Sequence, residues 1–233
     1  MRSIWRTIRS SPGLGRDIGL VCAADAVVGL SFGAIAVGAG LPVWLPMLLS
    51  LVVFAGAAQF MFVGLVASGG NPVAAVVAGL LVNARHLPFG FAVGDVLGRG
   101  WRRVAGSHVM MDESVAFALA QPDPARRRAA YWSVGIGVFV CWNLGVLVGA
   151  FGGTVVTDTD RFGLDAAFPA VLLALVLPSL RDRATRWSAV AGAVIALVTT
   201  PFLPAGLPVL LALAGVIMVA ITARRSAPSE VAR

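Results

Sequence analysis

The sequence predicts an all-α protein, a polytopic bundle of about 6 to 8 transmembrane helices. The first observation is composition: 58% of the 233 residues are hydrophobic and only 12% are charged, whereas soluble proteins carry roughly 25% charged residues. The second is that the apolar segments run continuously instead of alternating with polar residues, which indicates helices and not a β-barrel. Because each crossing needs about 20 residues, the loops must be short and no soluble domain is expected.

Hydrophobic segments follow one another along the whole chain. They run from Asp17 to Gly38, Val43 to Ala67, Pro72 to Leu97, Tyr131 to Gly152, Leu164 to Leu180, Trp187 to Thr200 and Leu207 to Ala223. The first is longer than the hydrophobic part of a cleaved signal peptide, so we interpret it as a retained helix. We expect a cytoplasmic segment over 1–16, a transmembrane domain over 17–223 and a cytoplasmic tail over 224–233.

The third segment contains Pro88 in its interior. Proline removes one helical hydrogen bond and clashes with the carbonyl four residues earlier, so a discontinuous helix is expected near this residue. The part from Pro72 to Leu87 would then measure about 24 Å, which is short of the ~30 Å hydrocarbon core. Discontinuous membrane helices often line binding sites near the bilayer midplane.

The net charge of +7 belongs to arginines that flank the hydrophobic segments. Such positions are typical of topology signals, so we expect a plasma membrane location with both termini and the 98–128 connection in the cytoplasm, and no nucleic-acid partner. Three full crossings between Arg16 and Arg99 would place Arg99 outside. Either one early segment does not cross fully, or the stretch from Ser107 to Ala120 enters the membrane.

Catalytic, metal-binding and cofactor motifs are not recognisable in the chain. Cys22 and Cys141 lie in hydrophobic segments without metal-ligand spacing, and we interpret them as packing residues. No HExxH sequence, nucleotide-binding glycine loop or serine triad is present. We therefore expect no enzyme activity, no metal site and no cofactor.

Two rows of glycines occur at four-residue spacing. Gly29 and Gly33 lie in the first segment, and Gly145, Gly149 and Gly153 lie in the fourth. Such rows allow helix backbones to approach closely, so helix packing is their expected role. The similar positions could also indicate an internal repeat.

Polar side chains inside the segments from Phe54 to Gly90 are the candidates for a functional site, because polar groups are costly in the membrane. Arg85 offers a planar fork that suits the carboxylate of an amino acid. The alternative is a structural ion pair with Asp25, Asp95 or Asp112. Gln59 is the other polar candidate in this region, on the second segment.

Asn83 and His86 are three residues apart and would share a helix face. His86 could carry protons because its ordinary pKa lies near 6.5, although a buried histidine that is only hydrogen-bonded is the alternative. Asp112 and Glu113 precede an apolar run, and one of them is a candidate for proton coupling; a solvated helix start is the alternative. Asp25 is a further candidate for proton coupling; the alternative is that it snorkels or forms a pair near the arginine-rich side.

Several motifs together resemble one family. They are AGAAQF at 55–60, NARH at 83–86, MDESVAFAL at 111–119, WNLGVLVGAFGG at 142–153 and GLDAAFPA at 163–170. In these the chain resembles the AzlC family of branched-chain amino acid exporters. Family members often have an aromatic residue near the HLPFG position, where this chain has Pro88.

The resemblance implies proton-driven efflux of valine, leucine or isoleucine, in some relatives also methionine, with a small AzlD-type membrane subunit as partner. The matching residues are Gln59, Asn83, Arg85, His86, Asp112 and Glu113. The leading hypothesis places the substrate carboxylate at Arg85, its ammonium at Gln59 or Asn83, and its side chain against an apolar wall. The alternative is a non-transporting membrane scaffold or accessory subunit, and a membrane enzyme ranks third.

Overall fold

The computed structural model describes residues 7–8, 13–155, 173, 177–203, 207–208 and 211–212. Within these ranges the regular elements are helices and no strand occurs, which confirms the all-α prediction. The helices are α1 (Leu14–Gly38), α2 (Trp44–Val52), α3 (Gly56–Ala67), α4 (Pro72–Asn83), α5 (His86–Ala92), α6 (Gly94–Leu97), α7 (Trp101–His108), α8 (Asp112–Leu119), α9 (Pro124–Val155), a 3₁₀ helix (Leu177–Arg181) and α10 (Arg183–Thr199). Most of the predicted segments 164–180 and 207–223 lies outside the described residues.

Three stretches are long and apolar enough to cross a bilayer by length and composition. They are Leu14–Gly38, Pro72–Ala92 and Pro124–Thr154. The remaining apolar helices are shorter, so the described part of the chain combines long spans with short helical pieces. This is the pattern of a helical membrane protein.

The chain divides into two compact units, and the first comprises Met1–Phe60 and Leu81–Ala167. Its main contact is between α1 and α9, through the two glycine rows. A Cβ added at Gly29 would lie 2.6 Å from the carbonyl oxygen of Trp142, and one added at Gly145, Gly149 or Gly33 would also meet backbone atoms of the facing helix. The predicted packing role of these glycines is confirmed.

Besides the contact between α1 and α9, the first unit contains a cluster of buried hydrophobic residues where α6, α7 and α8 meet α9. Its members are Val93, Val96, Leu97, Val109, Met110, Val115, Ala118 and Tyr131. The Tyr131 hydroxyl donates to the Gly106 carbonyl at 2.8 Å, and the Trp132 ring N–H donates to the Val96 carbonyl at 3.1 Å. These bonds satisfy the polar atoms of both aromatic side chains and attach α9 to the short helices.

The second unit comprises Met61–Leu80 and Phe168–Arg233. Leu65 of α3 packs there with Ala75 and Ala78 of α4. The 3₁₀ helix contacts α10, and the side chain of Asp182 accepts from the Thr185 N–H at 2.7 Å as the N-cap of α10. This cap satisfies one of the free amides at the helix start.

The third hydrophobic segment is discontinuous, as predicted, but the break lies at Ala84 and Arg85, just before Pro88. Proline cannot donate to the carbonyl four residues earlier, which here is that of Ala84. That carbonyl accepts instead from the Leu87 N–H at 3.1 Å. Pro88 itself lies in the first turn of α5, where its missing N–H costs little.

The second segment is also discontinuous, which the sequence interpretation did not predict. Instead of one helix from Val43 to Ala67, α2 and α3 are separated by residues 53–55. At 1.5 Å per residue, α2 measures about 13 Å and α3 about 18 Å, each well below the ~30 Å core. Of the stretch from Ser107 to Ala120, Ser107 and His108 end α7 and Asp112–Leu119 form α8, which at about 12 Å is too short to cross the core. The choice between the two topological alternatives stays a prediction.

Candidate functional site

A cavity of about 210 Å³ in the first unit lies where the two helix breaks meet. Its lining residues are Val53, Phe54, Ala55, Asn83, His86, Ser107, His108 and Met110. The first three form the break between α2 and α3, while Asn83 ends α4 and His86 begins α5. Both interruptions of the predicted spans therefore open onto the same space.

Gln59 holds the break between α2 and α3 together. The carbonyl oxygen of Leu49 accepts from the backbone N–H groups of Val53 and Phe54 and, at 2.8 Å, from Nε2 of Gln59. Gln59 is only 1% exposed, and its Oε1 has no partner among the described residues. Gln59 therefore lies behind the break and not in the cavity lining, with one buried acceptor still free.

Phe54 has a backbone φ of 40°. A left-handed conformation costs a residue with a side chain roughly 1–2 kcal/mol. Its buried ring packs edge-on against Phe139 at a centroid distance of 4.9 Å and lies 6.2 Å from the His108 ring. Aromatic pairs of this geometry contribute about 0.5–1.5 kcal/mol beyond area burial, which offsets the strain at the break.

Asn83 and His86 are joined at the break between α4 and α5. His86 Nδ1 lies 3.0 Å from the Asn83 carbonyl oxygen, a bond that requires Nδ1 to carry the proton. In the neutral ring Nε2 is then the acceptor that can bind another proton. The side-chain Oδ1 of Asn83 is buried and has no partner among the described residues. A free acceptor and a titratable ring thus lie at one edge of the cavity.

Arg85 forms an ion pair with Asp112, with Nη1 3.0 Å from Oδ2. The side chains are 38% and 46% exposed, and a pair this exposed contributes at most about 1 kcal/mol in water. Of the three carboxylates that the sequence offered as structural partners, the structure selects Asp112. Asp95 pairs instead with Arg127 at 3.5 Å. The Nε of Arg85 is buried without a partner among the described residues.

Asp112 and Glu113 begin α8, whose start is fixed by Ser114. The Ser114 hydroxyl accepts from the Met111 N–H at 3.0 Å. Burial is the main cause that raises the pKa of the Glu113 carboxyl, Asp112 raises it further, and the backbone hydrogen bond and Arg85 oppose the rise. Asp25 of α1 lies within electrostatic range of Glu113. Asp112 is thus the partner of Arg85, and all three predicted carboxylate proton carriers, Asp112, Glu113 and Asp25, lie outside the cavity lining.

Sequence reasoning missed His108 and Ser107 as cavity residues. His108 lies between Phe54 and Phe139, 5.6 Å from the latter ring. The chain has two histidines, and both line this cavity. The scarcity of histidine is the signal that could have identified the second one.

Sequence reasoning also missed a set of buried and half-buried residues beside the break between α2 and α3, namely Ser50, Asn143 and Trp142. The Ser50 hydroxyl donates to Asn143 Oδ1 at 2.7 Å and so links α2 to α9. Trp142 is 4% exposed, and its Nε1 has no partner among the described residues. Its ring fills the space at Gly56, where an added Cβ would be 2.9 Å from the ring. The absence of a side chain at Gly56 is what lets the tryptophan reach the start of α3.

Comparison with known proteins identifies the family. The model of the AzlC protein family matches residues 21–156, a range that contains every predicted site residue. The chain belongs to the AzlC family. The family match therefore confirms the resemblance that the sequence motifs indicated.

Three curated relatives are similar over most of this AzlC family chain. An uncharacterized membrane protein of Helicobacter pylori is 26% identical over 74% of this chain and 76% of its own. The branched-chain amino acid transport protein AzlC of Bacillus subtilis is 25% identical over 71% of this chain and 66% of its own. An uncharacterized membrane protein of Archaeoglobus fulgidus is 27% identical over 84% of this chain and 87% of its own. No solved structure matches the chain.

Proposed function

We propose that this AzlC family protein exports valine, leucine, isoleucine and methionine in exchange for protons, together with a small AzlD-type membrane subunit. The family, the name of the Bacillus relative and the membrane-spanning helices support transport of branched-chain amino acids. The observation that carries the proposal is the cavity at the two helix breaks, because discontinuous helices are a recurring way to build substrate sites in transporters.

The cavity offers the groups that an aliphatic amino acid needs. The unpaired Asn83 Oδ1 can accept from the substrate ammonium. Val53, Phe54 and Met110 supply an apolar wall for the branched side chain. A volume of about 210 Å³ is below the ~300 Å³ at which pockets for drug-sized ligands begin, and so it suits a ligand as small as one amino acid.

The substrate carboxylate has two candidate partners in this proposal. Ala55 lines the cavity and α3 begins at Gly56, so the positive end of a helix faces the space and favours an anion. Arg85 is the second partner, but in this structure its guanidinium is engaged by Asp112. Arg85 does not itself line the cavity, but its Nε has no partner among the described residues and remains available as a donor to a substrate carboxylate.

The ion pair gives a route to proton coupling. With Asp112 ionised, the pair holds Arg85 in position for the substrate carboxylate, whereas protonation of Asp112 removes the pair and releases the substrate, so that proton and substrate are carried in different states, as exchange requires. Glu113, whose pKa is raised by burial, is the neighbouring group that can deliver the proton. Substrate and proton are then linked through one guanidinium.

The test is transport by the chain reconstituted with its small partner. Labelled leucine should exchange in counterflow and be driven by an imposed pH gradient, and cells expressing the pair should resist a toxic leucine analogue. Asn83→Ala should lower counterflow at least tenfold, whereas Gln121→Ala, a polar residue outside the cavity lining, should match the unmodified pair. An assembled pair that transports none of the four amino acids refutes the proposal.

A further inference from the structure

A second cavity in the first unit, about 560 Å³ in volume, is lined almost entirely by charged residues and glycines. Its lining residues are Gly94, Asp95, Gly98, Arg99, Arg102 and Arg128. They come from α6, from the loop that follows it, from α7 and from the start of α9. We call this space the basic cavity.

The charge of the basic cavity is not compensated within the described part of the chain. Arg99, Arg102 and Arg128 form no ion pair with a described carboxylate. Asp95 is the acidic residue of the lining, and it already pairs with Arg127. Three arginines against one aspartate give the lining a net positive charge, which favours a bound anion.

Two glycines with positive φ shape the loop that lines the basic cavity. Gly98 has a φ of 85° and Gly100 a φ of 59°, values that favour glycine. A Cβ added at Gly98 would lie 3.4 Å from the Arg102 Cβ and 3.8 Å from Arg128 Nη2. The turn at Gly98 therefore lies in contact range of both Arg102 and Arg128.

The surroundings of the basic cavity are those of a membrane surface. Helix α9 has 32 residues, about 48 Å, so it exceeds the ~30 Å core and its end must emerge. Arg128 directly precedes the uncharged stretch 129–154, which places it at the boundary. On α7, Trp101 and Val104 are 75% and 73% exposed and three residues apart, so they share a face. Exposed tryptophan is typical of the membrane–water interface.

We propose that the basic cavity binds the phosphate group of an anionic phospholipid, with Trp101 and Val104 against the adjoining acyl chain. Arginine forks match phosphate oxygens in a bidentate manner, and basic cavities beside membrane helices suit anionic headgroups. Inorganic phosphate shares the charge and geometry but offers nothing for the apolar face of α7. The exposed tryptophan and valine therefore favour the lipid.

The test uses the full chain, purified in mild detergent. Retention of phosphatidylglycerol and of phosphatidylcholine is compared by native mass spectrometry, with inorganic phosphate as competitor. The wild type should retain phosphatidylglycerol at least tenfold better, and Arg102→Gln with Arg128→Gln should abolish this preference. Arg103→Gln is the matched control, since this exposed arginine is adjacent in sequence but does not line the cavity. Trp101→Ala should weaken lipid retention and leave binding of inorganic phosphate unchanged.

Several results would overturn the proposal. They are equal retention of the two lipids, equal loss in the Arg103→Gln control, and displacement of the lipid by millimolar inorganic phosphate, which would show a site for the free anion. If the double variant is not monodisperse and helical, Arg99→Gln on the exposed loop replaces it and should reduce the preference severalfold. An unchanged preference in folded Arg99→Gln protein would likewise contradict the role of the cavity.

Discussion

Arg85 Nη1 lies 3.0 Å from Asp112 Oδ2, so an ion pair joins the break between α4 and α5 to the first residue of α8. The pair links residues that are 27 positions apart in sequence (112 − 85). Since Glu113 directly follows Asp112, the positive charge of Arg85 attracts two adjacent carboxylates. Any change in the protonation of this pair alters how firmly the break is held.

Arg85→Lys should impair transport although the charge is kept, because lysine presents a point charge and not a planar fork. We expect leucine counterflow in proteoliposomes to fall at least tenfold, with assembly with the partner little affected. The charge-exchanged double variant, Arg85→Asp with Asp112→Arg, should assemble with the partner but should not transport leucine. Normal transport by Arg85→Lys, together with failed assembly of Arg85→Ala, would show that the charge is only structural.

Gly33→Ala should destabilise the protein by about 2 kcal/mol, because the new methyl group would meet the backbone of α9. Gly19→Ala is the matched control on the same helix, where no atom lies within 4 Å. It should be neutral or stabilising by up to about 1 kcal/mol through helix propensity. Thermal unfolding in detergent measures both, and equal melting temperatures would contradict the tight crossing of α1 and α9.

Phe54→Gly should be more stable than Phe54→Ala by about 1 kcal/mol, although both lose the same ring. Glycine adopts the observed φ of 40° without strain, whereas alanine does not. Both variants should be less stable than the wild type, because the contact with Phe139 is lost. The comparison is made by thermal unfolding. An alanine variant at least as stable as the glycine variant would show that the backbone there is not left-handed.

Glu113→Gln should flatten the pH dependence of stability. Since burial raises the pKa of Glu113, the folded protein keeps a proton that the unfolded chain has lost. The free energy of unfolding therefore falls as the pH rises from the ordinary pKa of glutamate through the raised value. Unfolding followed across this pH range checks the sign, and a stability of Glu113→Gln that still falls in parallel with the wild type would assign the titration to another group.

Glu113→Gln should also separate transport from the proton gradient. The neutral amide resembles the protonated carboxyl, so downhill leucine counterflow should persist while gradient-driven transport is lost. Asp112→Asn is predicted to behave in the same way, and His86→Gln tests the alternative relay. Full proton-driven transport in both carboxylate variants would move the coupling site to His86 or Asp25.

Local signals predicted part of the fold and the site. The effect of Pro88 reaches only as far as the carbonyl of Ala84, so the break in the third segment could be inferred from sequence alone. The glycine spacing likewise predicted close packing before its partner helix was known. Arg85 was different, because three carboxylates were equally acceptable partners and only the folded chain selects Asp112.

The break after α2 could not be predicted, because long-range contacts stabilise it. Phe54 is held in its conformation by Phe139, 85 positions away (139 − 54), and by His108. The Gln59 amide that bonds the Leu49 carbonyl is part of the same arrangement. In the sequence these residues lie in a continuous hydrophobic run whose only local hint is the small-residue stretch around Gly56. For the same reason His108 was not recognised as a cavity residue.

The glycine contacts between α1 and α9 bear on how this protein can move. With Gly29 against the backbone of Trp142 and Gly149 against that of Leu30, neither helix can rotate or slide without steric overlap. These two helices therefore form a fixed frame within the first unit. Under the proposed transport function, we predict that the movement between the two access states pivots at Phe54 and at Arg85, where the short helices are joined by a few residues each.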